Sequence, residues 1–177
     1  RAMRSADVVF QERLERLVLE RTAELARMQY GGCHAHDGCR DGEMFMGATF
    51  QLLAANVRLR GTHQTLFPGY EVRWFDGVPI AFIGMTLEGT SEIVNPEGIA
   101  GVTFENEVKT VNDLVPTLRK RGIEAVVVLV HEGGLQAGLY DQCEGISGPI
   151  VDIVKGFDPA VDLVITGHTH QAYNCEI

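Results

Sequence analysis

No stretch of the 177 residues approaches the roughly 20 consecutive apolar positions that cross a bilayer, which excludes a membrane-spanning helix. Basic residues are scarce, with 15 Lys and Arg against 24 Asp and Glu and a formal net charge of −9. A nucleic-acid polymer is therefore not the expected partner, because phosphate-backbone binding depends on clustered cations. A small phosphorylated substrate remains compatible, since a bound divalent ion reverses the local field of an acidic protein. The segment from Arg1 to Arg21 is charged along its length and has no apolar core followed by a small-residue cleavage site. No signal peptide is read there, and an already processed protein has the same pattern. No paired C-x-x-C spacing marks a zinc ribbon or redox motif among Cys33, Cys39, Cys143 and Cys175, and no internal repeat or low-complexity linker is visible.

What is present has the balance of one globular domain, 45% hydrophobic and 22% charged. Phe10, Leu14, Leu17, Val18, Leu25 and Met28 recur at helical spacing after Ser5, predicting a long amphipathic helix that stops at Gly31-Gly32. Strand-like runs follow at 50–57, 71–75 and 79–85, and Asp76-Gly77 signals a hairpin between the last two. A helix is expected over 105–121, kinked at Pro116 or starting later than Glu105. The runs 125–130 and 161–166 read as strands buried on both faces of a parallel sheet. Between them a helix opens with Ser147 as cap and Pro149 in its first turn, and closes at Asp158-Pro159. Strand, helix, strand is the βαβ unit of an α/β fold.

Each of these two strands runs directly into histidine, as His131-Glu132-Gly133-Gly134 and as Gly167-His168-Thr169-His170. Because sites in open α/β sheets form at the carboxyl ends of strands, three imidazoles are expected at one sheet edge. One residue separates His168 from His170, which in an extended segment directs both to the same side. Imidazole suits zinc, manganese, iron and other transition ions alike. His34, His36 and His63 read as loop or surface residues. Cys33 and Cys39 flank a turn-rich stretch that can close as a disulfide, leaving Cys143 and Cys175 as the second pair. Free thiols and metal ligation are the alternatives, decided by the compartment.

Val128-Leu129-Val130-His131-Glu132-Gly133-Gly134 and Ile165-Thr166-Gly167-His168-Thr169-His170 resemble the last two metal-ligand motifs of the calcineurin-like metallophosphoesterases, in their exported bacterial 5'-nucleotidase branch. Leu53 to Val57, Gly101 to Phe104 leading into Glu107-Val108, and Ser147 to Val151 support the resemblance, which covers about Thr22 to Ile177. It implies the second half of an αββα-type domain over 22–177, preceded by a helical segment, 1–21, that does not match. It also implies hydrolysis of a nucleotide or related phosphate ester at two divalent metals, such as zinc or manganese. Carried across, His131 and His168 ligate one metal, His170 the other, and Asn56 lies near the substrate phosphate. The family's Asp-x-His, Gly-Asp and Gly-Asn-His-Glu motifs are missing from this sequence. The expectation is thus an incomplete domain, inactive alone, with a non-catalytic metal-binding or helix-mediated interaction module as the alternative. The resemblance further implies an extracellular, periplasmic or cell-surface location and an oxidising compartment, hence disulfides Cys33–Cys39 and Cys143–Cys175. A homodimer is expected, because a half-domain leaves apolar surface and a strand edge uncovered.

Overall fold

A computed structural model describes residues 23–24, 26–34, 37–39 and 42–177. The predicted N-terminal helix falls mostly outside these residues. Its end is described: residues 26–30 are helical, and Gly31, at φ 84°, donates its N–H to Arg27 O at 2.8 Å. A left-handed residue ends a helix in this way at no steric cost when it is glycine.

Among the described residues the main sheet has four strands, in the order Tyr70–Phe75 (β2), Val78–Met85 (β3), Ala125–Val130 (β5) and Leu163–Ile165 (β6). Tyr70–Phe75 (β2) and Val78–Met85 (β3) form the antiparallel hairpin announced by Asp76-Gly77, both of which adopt the positive φ of its turn, 49° and 84°. Strand β3 pairs in parallel with Ala125–Val130 (β5), and β5 with Leu163–Ile165 (β6). A separate two-stranded sheet pairs Val57–Leu59 (β1) with Val102–Phe104 (β4). The strand expected over 50–57 is thus shorter and later. Ala54 and Ala55 instead make single backbone bonds, to Pro68 O and Gly84 O, and form no ladder.

Helix α1, Glu107–Lys120, is capped by Asn106, whose Oδ1 accepts the Lys109 N–H at 3.0 Å, and Arg119 and Lys120 lie in its last turn. It starts at Glu107, two residues later than Glu105, as one of the two alternatives had it, and continues through Pro116, on its exposed side. Helix α2, Pro149–Gly156, differs from expectation at its cap. Gly148 at φ 100° occupies that position, while Ser147 pairs with Leu135 through its backbone N–H and carbonyl.

Strand order 3-5-6 advances in one direction, so same-handed crossovers place α1 and α2 on one face of the sheet. There Ala81, Ile83 and Met85 of β3 and Val126, Val128 and Val130 of β5 pack with Val111, Val115 and Leu118 of α1, Ile150 of α2, and Phe157. Each fully buried Ile or Leu in this layer contributes roughly 1.5–3 kcal/mol. The opposite face is covered differently. Leu53 lies so close over Gly84 that a Cβ there would collide with it, yet Phe75, Leu163 and Ile165 are each 52% exposed. Among the described residues strand β6 is therefore an edge strand with one open face, not the doubly buried strand that its composition suggested.

Candidate metal centre

Strand β5 delivers His131 to the carboxyl edge of the sheet, where its N–H donates to Met85 O at 3.2 Å and extends the β3–β5 pairing by one rung. Glu132 follows, buried, with its carboxylate accepting the Gly133 N–H at 2.8 Å. Strand β6 delivers Thr166 and Gly167, whose N–H donates to Glu132 O at 3.2 Å. The two loops run so close that a Cβ on Gly133 would overlap the Gly167 carbonyl oxygen and the Thr169 hydroxyl. Only glycine fits.

This close packing brings His168 Nδ1 to 3.4 Å from His131 Nε2, with ring centroids 5.1 Å apart and planes at 75°. His168 and His170 have φ of 67° and 55°. A left-handed conformation costs a non-glycine residue roughly 1–2 kcal/mol, and such strained residues concentrate at functional sites. The segment is therefore not extended, and the alternation that put both imidazoles on one side does not apply. His170 is exposed. Among the described residues no group of three or more His, Cys, Asp or Glu side chains gathers within metal-binding reach.

The His131–His168 pair fits part of a metal's coordination. Two nitrogens bound at about 2.0–2.1 Å to one tetrahedral zinc stand about 3.4 Å apart. Both imidazoles are accessible on the outer side, while Glu132, Gly133 and Gly134 behind them are buried. The arrangement offers two nitrogen donors to a cation and leaves its remaining positions to other ligands.

Asn56 is fully buried, and its side chain is saturated by backbone. Its Nδ2 donates to Thr86 O at 2.8 Å and Glu105 O at 3.1 Å, and its Oδ1 accepts the Thr86 N–H at 3.0 Å. It ties β1 to the carboxyl end of β3 and to the residue after β4. The cysteines pair as Cys33–Cys39 and Cys143–Cys175, with Cα atoms 4.8 and 5.5 Å apart, inside the usual disulfide range. Cys143–Cys175 joins the loop after His131 to the segment after His170. His63 is exposed, as expected.

Residue spacing carried no signal for three groups behind the pair. Thr169 Oγ1 donates to Gly134 O at 2.8 Å, and Tyr173 Oη accepts the Gly134 N–H at 3.1 Å. Glu107, at the start of α1, is buried and accepts the Glu88 N–H at 2.6 Å. Burial raises its pKa above the ordinary 4.5, aided by the nearby charges of Glu88 and Glu132 and opposed by backbone hydrogen bonds from Glu88 and its own N–H. A carboxyl that holds its proton more tightly when folded makes folding less favourable as pH rises from its unfolded value through its folded one. Glu107→Gln keeps an acceptor for Glu88 and removes this loss. The variant's stability relative to the parent chain is therefore expected to improve as pH rises above the ordinary carboxyl value of 4.5, read by urea unfolding at each pH. A pH-independent difference contradicts it.

The sequence profile of the calcineurin-like phosphoesterases matches residues 36–172. Over 158 residues the chain is 32% identical to Endonuclease YhcR of Bacillus subtilis (strain 168), an alignment spanning 89% of this chain and 12% of that protein. Over 127 residues it is 29% identical to the 5'-nucleotidase of Vibrio cholerae serotype O1, spanning 70% and 22% of the two. The solved 5'-nucleotidase precursor from Thermus thermophilus superposes with a TM-score of 0.54 at 27% identity, covering 70% of this chain and 22% of that one. The chain thus spans only 12 to 22% of the length of these curated relatives.

Proposed function

The chain belongs to the calcineurin-like phosphoesterase family, and from that membership we propose that it carries part of the metal centre of a phosphoric monoester hydrolase acting on nucleotides. The observation that carries this reading is the 3.4 Å approach of His131 and His168 at the ends of adjacent parallel strands. These two residues hold one divalent ion, and His170 belongs to the second. A divalent ion in such a centre polarises a phosphoryl oxygen and acidifies water. The chain's own residues orient the imidazoles from behind and leave the outer side open for an anion. Asn56, whose side chain is spent on backbone, belongs to this reading indirectly, near the phosphate through the backbone of Thr86 and Glu105 that it holds.

No Asp-x-His, Gly-Asp or Gly-Asn-His-Glu motif lies within the 177 residues, so the shared carboxylate of a two-metal centre is not supplied by them. The family region is taken to be 22–177. The two disulfides support an oxidising, exported location. The open face of β6, with Leu163 and Ile165, supports pairing of two copies. The test is calorimetric titration of AMP with and without manganese, alongside phosphate release. AMP is expected to bind only with the metal, with release at background. Binding that ignores manganese, or none at all, removes the nucleotide reading, and metal uptake without AMP favours the non-catalytic module.

A second reading, action on a polynucleotide phosphodiester, rests on the similarity to a protein named an endonuclease. The net charge of −9 opposes it. Manganese-dependent binding of a single-stranded oligonucleotide in preference to AMP would favour it.

A further inference from the structure

Both polar backbone atoms of buried Gly134 are taken by side chains of the opposite loop. Its N–H donates to Tyr173 Oη at 3.1 Å, and its carbonyl accepts the Thr169 hydroxyl at 2.8 Å. Tyr173 Oη also lies 2.6 Å from Thr166 Oγ1, at the end of β6. One phenol thus bridges the loop three residues beyond His131 and the strand end two residues before His168. Tyr173 is itself held by its neighbours: Gln136 Nε2 donates to Ala172 O at 2.9 Å, Asn174 N–H donates to Tyr140 O at 2.6 Å, and Cys175 is bonded to Cys143. The tyrosine is half-buried, and its hydroxyl is spent on these backbone and side-chain partners behind the imidazoles.

We propose that Tyr173 is a positioning residue, whose hydroxyl sets the separation of His131 and His168 by tying Gly134 to Thr166. The inference rests on the reading of those two histidines as ligands of one metal. Without the hydroxyl, the buried Gly134 N–H has no acceptor, and a donor left unsatisfied in a buried place seeks another. The loop must shift to bring it one, and His131 shifts with the loop. The backbone bond from Gly167 to Glu132 remains, so the two loops stay together while the imidazoles lose their register.

The test compares the full chain with Tyr173→Phe, His168→Ala and Val115→Ala, a buried α1 residue outside the histidine loops, by zinc calorimetry and thermal melting. Tyr173→Phe is expected to weaken zinc binding about tenfold, in the range of other supporting-residue losses at metal sites. Val115→Ala is expected to lower the melting temperature and leave zinc affinity unchanged. In the metal-free chain, the nuclear Overhauser contact between the His131 and His168 imidazole protons is expected in the parent and lost in Tyr173→Phe. If His168→Ala abolishes zinc binding while Tyr173→Phe alters neither affinity nor that contact, the role of Tyr173 is overturned and the metal reading stands. If His168→Ala changes nothing, the metal reading itself fails.

Discussion

Replacing His168 with Ala is expected to weaken zinc binding by about a hundredfold or more, because a direct donor is removed where loss of a supporting residue alone costs about 10–100-fold. His63→Ala is the comparison. His63 is exposed in the loop after β1, where its carbonyl is engaged by Arg58 Nη1 at 2.8 Å. Equal zinc affinities in the two variants, by calorimetry, remove His168 from the site. A third variant separates ligation from backbone strain. His168→Gly loses the imidazole equally but tolerates φ 67°, so it is expected to be more stable than His168→Ala by about 1 kcal/mol. The two should bind zinc equally poorly.

Loss of the Cys143–Cys175 bond is expected to have the largest effect on stability. The two cysteines are 32 residues apart, and closing a loop of that size restrains the unfolded chain by roughly 3–4 kcal/mol. Cys33 and Cys39 are 6 apart, for which the same relation yields about 2 kcal/mol. Replacing Cys143 and Cys175 with Ser should therefore lower the melting temperature by about 10 °C and by more than the Cys33/Cys39 double replacement. The reverse order would mean that native contacts outweigh loop length. The longer loop contains β6 and His168, so its loss is also expected to speed proteolysis between α2 and the C-terminal segment.

How much of this was legible depends on whether the determining contacts are local. The all-apolar run of β5, the Asp76-Gly77 turn and the glycine stop after residue 30 are decided by nearest neighbours, and each was read from them. The histidines at the ends of β5 and β6 were legible for a related reason, since parallel pairing fixes which end of a strand carries the site. Strand β4 was missed because three residues acquire strand character only by pairing with Val57–Leu59, more than 40 positions earlier. The exposure of Leu163 and Ile165 is a fact of sheet order, which composition does not encode. Ser147 looked like a helix cap, but its backbone was already committed to Leu135. The left-handed turns at His168 and His170 arise from the fit of one loop against another, and Tyr173 belongs to the site only through that fit.

Both donors of the imidazole pair come from a single βαβ unit. Residues 125–173 contain β5, α2, β6, the two histidines, the glycines that let their loops touch, and the tyrosine that fastens them. On the metal reading proposed above, transfer of this one stretch with its sheet pairing would carry two nitrogen donors already aligned, and a recipient protein would still need the facing ligands and a surface for its substrate. Inheritance of the pair would then be separable from inheritance of specificity.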